Sequence, residues 1–320
     1  MNLSVIIPNY NGEKLLKKNL PKVFGAIDNY KNGKKEIVVT DDCSLDNSIN
    51  VIKELKSKIG ALYPNIGFRL IENDKNLGFS SNVNRGAKNA SGDILILLNT
   101  DVVPSRDFLS PLLSHFSNPE TFAVGCLDES MENGKKILRG RGIGLWKKGF
   151  LIHSRGEVDR TSTLWVSGGS GAFRKSIWDK LEGFDNLYDP FYWEDIDLSY
   201  RALKCGYKIL FEPKSVVIHE HEKGVIKNTY SNSKVKTIAY RNQFIFVWKN
   251  ATDLSLQFAH LLWLPYHFLK ALIRLDYPCF KGFISAFVSL PEIIQSSIED
   301  QKLFTVSDKQ IVSSFRKEIR

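Results

Sequence analysis

The order of the apolar runs constrains this chain most: over its first hundred residues, short aliphatic or β-branched stretches alternate with longer stretches of helical period. LSVIIPNY (3–10) ends in polar and turn-forming residues, and from Glu13 to about Asn29 the residues Leu15, Leu16, Leu20 and Val23 recur at helical spacing. EIVVT (36–40) then runs into DDCSLD, and an amphipathic helix is predicted from Ser48 to Leu62. FRLIEN (68–73) reads as a third strand, a helix follows from about Ser80 to Asn89, and ILILLN (94–99) reads as a fourth strand. Right-handed crossovers put the helices on both faces of a parallel sheet, which accounts for strands apolar on both sides. The expectation is an α/β fold with a doubly wound, mostly parallel sheet. Such sheets bind ligands at the carboxyl ends of their strands, where Asn9, Asp41, Asp42 and Asp101 stand here. Carboxylates converging on one edge repel each other and are costly to bury alone, so a cation or hydrogen-bond donors belong among them. The natural guest is a metal-bound phosphate compound, whose metal supplies the cation.

The 320 residues carry 44 Lys+Arg against 35 Asp+Glu, a net charge of +9, unevenly placed. Residues 135–160 hold eight basic and two acidic side chains, and residues 204–249 hold nine and three. Phosphate groups of a small substrate or an anionic membrane surface suit these patches. Nucleic acid is not expected, because no helix-turn-helix, zinc-ligand spacing or aromatic RNA-binding signature accompanies the charge. The four cysteines form no C-x-x-C pair and the chain opens directly on a strand, so a cytoplasmic location is expected.

Beyond about residue 120 the alternation loosens. Gly140, Gly142, Gly144 and Gly149 suggest a flexible basic loop, and LWVSGGSGAFRKSIWDKLEGFD suggests a strand, a glycine turn and a helix. In FYWEDIDLSYRALKCGYKI a cluster of acids opens a helix running from about Asp195 to Lys204 and stopping at Gly206. Between Asp253 and Lys270 lie sixteen uncharged residues, LSLQFAHLLWLPYHFL, with Pro265 inside them. A bilayer span needs about twenty apolar residues. Trp263, Tyr266 and His267 among leucines, followed by Lys270 and Arg274, suggest instead a helix lying in a membrane interface, with GFISAFVSLPEII (282–294) as a second. An ordinary buried helical pair is the alternative.

Six motifs occur in order: SVIIPNYNG, VVTDDCSLD, NLGFSSNVNRGA, LLNTDV, SGGSGAFRKSIWDKLEGFD and FYWEDIDLSYRA. Together they resemble family 2 glycosyltransferases of the GT-A fold, especially the rhamnosyltransferase-like branch that builds bacterial surface polysaccharides, over residues 1 to about 222. The resemblance implies a Rossmann-like nucleotide-sugar domain at 1–225 and a C-terminal helical region at 226–320 for membrane or acceptor contact. It also implies a metal-dependent inverting hexosyltransferase, peripheral on the cytoplasmic membrane face. Such an enzyme moves a sugar, rhamnose favoured, from a UDP- or dTDP-sugar to a hydroxyl of a glycan acceptor, commonly lipid-linked.

Residue by residue, the resemblance makes Asp101 a ligand of Mn²⁺ or Mg²⁺, with Asn99 at the first position of the D-x-D pattern. His219 is the second ligand, or His221 in its place. Pro8, Tyr10 and Asp42 would hold the base. Gly78, Thr100 and Arg85, with Asn84 beside it, would meet the rest of the nucleotide. Gly168 and Gly169 would wall the sugar, and Trp193 would offer it an apolar face. Glu194 would orient hydroxyls, Asp197 would brace the helix, and Asp195 would take the acceptor's proton. Three rival readings stand beside this one, among them a catalytically dead family member acting as a scaffold. A sugar nucleotidyltransferase should show a glycine- and Lys/Arg-rich phosphate loop after the first strand, where this chain has PNYNGEK. A nucleic-acid- or membrane-binding scaffold would be indifferent to Asp195.

Overall fold

The computed structural model describes residues 1–132, 135–219, 230–316 and 318. Its first half follows the alternation: β1 (Leu3–Asn9), α1 (Glu13–Asn29), β2 (Lys35–Asp41), α2 (Ser48–Leu62), β3 (Ile66–Glu72), α3 (Phe79–Lys88) and β4 (Ile94–Leu98). β3, β2, β1 and β4 lie side by side and all parallel. Successive residues of a strand face opposite sides. Val5, Ile7, Ile37, Val39, Ile94 and Ile96 therefore pack under α1 and α2, while Ile6, Val38, Leu95 and Leu97 pack with Val83 and Ala87 of α3 on the other face.

The sheet then becomes mixed. β5 (Val102–Pro104), α4 (Leu109–Ser114), β6 (Thr121–Glu132), β7 (Lys135–Arg139), β10 (Ser170–Arg174), α5 (Lys175–Lys180), α6 (Glu194–Lys204) and β11 (Lys208–His219) complete it in the order β3-β2-β1-β4-β10-β6-β11-β5, with β7 paired on β6. β10 is antiparallel to both its neighbours, whereas β6 and β11 are parallel to each other. The glycine-rich stretch read as a flexible loop is instead mostly strand: it follows β7 and forms a hairpin of β8 (Gly142–Lys147) and β9 (Phe150–Arg155), with Gly149 in the turn. Its glycines serve close packing. At Gly140, φ is +111° and a Cβ would stand 2.1 Å from the Cys126 carbonyl oxygen.

The C-terminal part comprises α7 (Asn232–Asn250), α8 (Leu254–Ile273), α9 (Tyr277–Val288), α10 (Leu290–Gln301) and α11 (Asp308–Ser313). The expected second helix at 282–294 is divided between α9 and α10 at Ser289, with Pro291 opening the new helix. Phe244, Ile245, Phe246 and Val247 of α7 form a third core with Trp193, Ile196 and Tyr200 around α6.

A buried ionic cluster ties α6 to these helices. Asp197 accepts from Arg201 (2.7 Å), Lys249 (3.0 Å), Tyr188 Oη (2.9 Å) and Asn250 (2.8 Å), and Lys249 also reaches Asp185 and Asp300. Burial alone would lift the Asp197 carboxyl, but Lys249 and Arg201 overcome it and hold it below the usual carboxylate range. Removing one member of such a group leaves its partners charged and dry. Asp197→Ala should therefore cost about 3–5 kcal/mol of stability, seen as a lower denaturation midpoint. Exposed Glu54, whose partner is the exposed Lys58, should lose little on the same substitution.

Candidate active site

A cleft of about 690 Å³ opens over the carboxyl ends of β1, β2, β4 and β11, a size that suits a small-molecule ligand. Of the residues singled out from sequence, Pro8, Tyr10, Asp42, Gly78, Thr100, Asp101, Gly168, Gly169, Glu194, Asp195 and His219 line it. Arg85 and Trp193 do not.

The nucleotide side is built by the ends of β1 and β2. Asp41 is used up structurally, accepting from Asn9 Nδ2 at 2.7 Å and Ser44 Oγ at 2.6 Å. Asp42 faces the cleft and accepts from the backbone N–H of Leu77 (2.8 Å) and Gly78 (2.9 Å) and from Asn73 (2.8 Å), so it pins the loop that enters α3. Gly78 takes φ +94°, and a Cβ there would lie 2.5 Å from Asp189 Oδ1. Asp189 in turn accepts from Ser80 N and Ser81 Oγ. Arg85 sits in the last turn of α3 and donates to the Glu72 carbonyl at 3.3 Å, because one helical turn rotates it away from the cleft. Asn84 is likewise spent, exchanging hydrogen bonds with the backbone of Phe184.

At the other strand ends, sheet register sets a histidine between two acids. His219 closes β11, with Nε2 3.3 Å from Asp101 Oδ1 and Nδ1 3.0 Å from Asp128 Oδ2. Burial pulls the imidazole pKa down, but the hydrogen bonds to Asp101 and Asp128 outweigh it and push it up to about 9. Once Nε2 has given up its proton, the carboxylate oxygen and imidazole nitrogen that face each other would fit two positions of a divalent ion, leaving the rest to phosphate oxygens and water. Asp128 on Nδ1 is the kind of partner that orients a ligating histidine. Among the described residues no group of three or more His, Cys, Asp or Glu side chains is arranged to hold an ion. His221, the other choice, lies outside the described residues. Asn99 adds a buried Oδ1 without a hydrogen-bond partner, and a Cβ on Gly169 would approach its Nδ2 to 2.6 Å.

The third element is the start of α6. Tyr192 and Trp193 both take left-handed backbone, φ +74° and +76°, a costly conformation for side chains of this size. Asn242 of α7 holds it by donating to the carbonyls of Tyr188, Phe191 and Tyr192 at 2.8–3.0 Å. The turn buries Trp193 against His153 and Phe246, which removes it from the role of an open platform, and exposes Tyr192 at the cleft instead. Glu194 and Asp195 then enter the cleft together. Helix N-termini favour negative charge by less than about 1 kcal/mol at ordinary sites, and burial wins here. It pushes the half-buried Asp195 up to about 6 and, with the Asp195 charge beside it, lifts Glu194 well above the carboxylate range. Asp195 Oδ1 accepts from Ile196 N at 2.8 Å and Oδ2 from Gly168 N at 3.4 Å, while Glu194 Oε2 is buried without a partner.

Three contributors escape a reading of the sequence. Asp128 ends the apolar run TFAVGCLD, the same signal that marks Asp101. Arg139 lines the cleft and lies in the basic stretch 135–160. Asn242 is a polar residue in the middle of a helix and carries no signal.

Comparison with known proteins identifies the family and the fold. The family model for glycosyl transferase family 2 matches residues 4–181. The O-antigen chain rhamnosyltransferase RfbN of Salmonella typhimurium is 26% identical over 226 residues, 69% of this chain and 67% of that protein. Dolichyl N-acetyl-alpha-D-glucosaminyl phosphate 3-beta-D-2,3-diacetamido-2,3-dideoxy-beta-D-glucuronosyltransferase of Methanococcus voltae is 26% identical over 300 residues, 85% of this chain and 80% of its own length. The crystal structure of GalNAc-T7 with UDP, GalNAc and Mn²⁺ superposes with a TM-score of 0.61 at 20% identity, over 78% of this chain and 48% of that one. With more than half of its length matched by the family model, this chain belongs to glycosyl transferase family 2 and is built on the GT-A fold.

Proposed function

We propose that the chain transfers a sugar, rhamnose favoured, with inversion from a UDP- or dTDP-sugar to a hydroxyl of a lipid-linked glycan at the cytoplasmic face of a membrane, in building a surface polysaccharide. The observation that carries this reading is the meeting of two pairs in one cleft, Asp101 with His219 and Glu194 with Asp195. The relatives' names support it: one is an O-antigen rhamnosyltransferase and the other acts on a dolichyl phosphate sugar. In this account residues up to about 225 form the nucleotide-sugar unit and residues 226–320 the unit for acceptor or membrane contact.

In the transfer, the Asp195 carboxylate takes the proton of the acceptor hydroxyl as its oxygen forms a bond to the anomeric carbon. The bond from that carbon to the phosphate oxygen breaks on the opposite side and releases the nucleoside diphosphate. Glu194, kept protonated by burial, donates from the otherwise unpartnered carboxyl to a sugar or acceptor hydroxyl. Asp42 keeps lone pairs free beyond its three donors and accepts the imide N–H of uracil or thymine, with Tyr10 and Pro8 against the ring. Asp101 and His219 would hold Mn²⁺ or Mg²⁺, which when bound neutralises charge on the leaving diphosphate. Arg139 adds a fixed positive charge in the same cleft, the role the sequence suggested for Arg85.

A base with a pKa of about 6 acts only when deprotonated. Turnover should therefore rise with pH through about 6 and be lost in more acid solution, measured as kcat/KM, which reports the free enzyme. A flat profile down to the ordinary aspartate range would remove Asp195 from the role. The donor itself is identified by nucleoside diphosphate release from a panel of nucleotide sugars with Mn²⁺ or Mg²⁺, and release from no member of the panel would sink the proposal.

A further inference from the structure

We infer that the outer face of α8 and the adjoining turn into α9 rests in the headgroup layer of an anionic phospholipid bilayer. This deepens the reading of a lipid-linked acceptor, although the surface can be tested without donor or acceptor. An ordinary surface helix packs its apolar stripe inward and turns polar residues to water. α8 is apolar on both sides. Its inward line is His260, Leu264, His267, Phe268 and Ala271: His260 and His267 bond to the carbonyls of Gly149 and Lys148, and Phe268 packs on Phe283. The outward line is apolar, with Phe258 63% exposed, Leu262 78% and Ile273 73%, and with Leu261, Leu269 and Leu272 also more than half exposed. Ile284, Phe287 and Val288 extend the surface along α9. Nine apolar side chains, each more than half exposed on two neighbouring helices, are the kind of surface that marks an interaction site.

The charges around this face select its partner. From Leu254 to Leu275 there is no acidic residue, and Lys270 and Arg274 are the charged ones. Lys148 on the β8–β9 turn stands 4.2 Å from the Tyr266 ring centre and 5.0 Å from that of Trp263, placing a cation and two aromatic rings at one edge of the patch. Asp276, the first acid beyond, is engaged by Tyr240 Oη at 2.6 Å. An isologous contact with a second copy would bring these cations against themselves. A bilayer containing anionic lipid supplies the opposite charge, and Trp, Tyr and Lys side chains are at home at headgroup depth. Among the described residues no helix is long and apolar enough to cross a membrane, so the contact is one that lies on the surface.

Flotation of the full chain with phosphatidylcholine vesicles, with and without phosphatidylglycerol, tests this. Binding is expected to vesicles containing phosphatidylglycerol, with little to phosphatidylcholine alone. Leu262→Glu/Ile273→Glu should weaken it by about tenfold or more, and Lys270→Glu/Arg274→Glu should remove the preference for anionic lipid at a similar cost. Both double variants change exposed side chains and should keep the wild-type denaturation midpoint and nucleotide binding. Wild-type failure to float with either vesicle, or double variants that float like wild type, would overturn the inference while leaving the catalytic reading intact. So would a dimer in solution that Leu262→Glu/Ile273→Glu dissociates.

Discussion

Asp195→Asn should bind donor as wild type does and turn over about 10²–10⁴-fold more slowly, the range lost with a positioned general base. The substitution keeps the size of the side chain, so its oxygen can still accept from Ile196 N, and the first turn of α6 should hold its shape. What disappears is the group that takes the acceptor's proton. Because that proton moves only as the new bond forms, the loss belongs in kcat and not in donor affinity. The neighbouring Glu194 sharpens the comparison. Burial and the Asp195 charge both raise its pKa, and with Asp195 neutral the second of these is gone. Glu194→Gln retains a donor to hydroxyls and should therefore be much milder than Asp195→Asn. If the two variants lost turnover equally, the division of roles between base and donor would be wrong.

Asp101→Ala should abolish metal-dependent binding of the nucleotide, a loss of about 10²-fold or more, since second-shell partners alone are worth about 10–100-fold in metal affinity. Calorimetric titration of Mn²⁺ and of nucleoside diphosphate, each with and without the other, reads this without any turnover. His219→Ala should behave alike, because the histidine and Asp101 Oδ1 share one face of the site at 3.3 Å. Asp128→Asn should bind metal more weakly than wild type but better than either, as it loosens only the Nδ1 side of the imidazole. Equal Mn²⁺ affinity in wild type and Asp101→Ala would place the ion elsewhere.

Much of this arrangement is legible in the sequence because it rests on local periodicity. The helices at Glu13–Asn29 and Ser48–Leu62 and the four parallel strands follow from where apolar residues fall, and a parallel sheet delivers its polar strand ends to one edge whatever the loops do. What was not legible depends on contacts between distant segments. Whether the glycines of 140–149 bend or pack is decided by Cys126 and Trp165, which lie elsewhere in the chain. Arg85 was placed by its motif, but its position in the last turn of α3 turns it to the Glu72 carbonyl. Trp193 was likewise placed by its motif, and the left-handed turn before α6, held by Asn242 some fifty residues on, buries it instead. The C-terminal helices were recognisable as unusually apolar, while the division at Ser289 and the exposure of the outer face of α8 required the packed structure.

Transfer with inversion requires a base on α6 acting opposite a nucleoside diphosphate leaving group. Its most direct test is the anomeric configuration of the product by NMR, once the panel has named the donor, with wild type and Asp195→Asn run side by side. Wild type should give a product of inverted configuration and the variant almost none. A product that keeps the donor's configuration, or one formed equally well by Asp195→Asn, would contradict this mechanism.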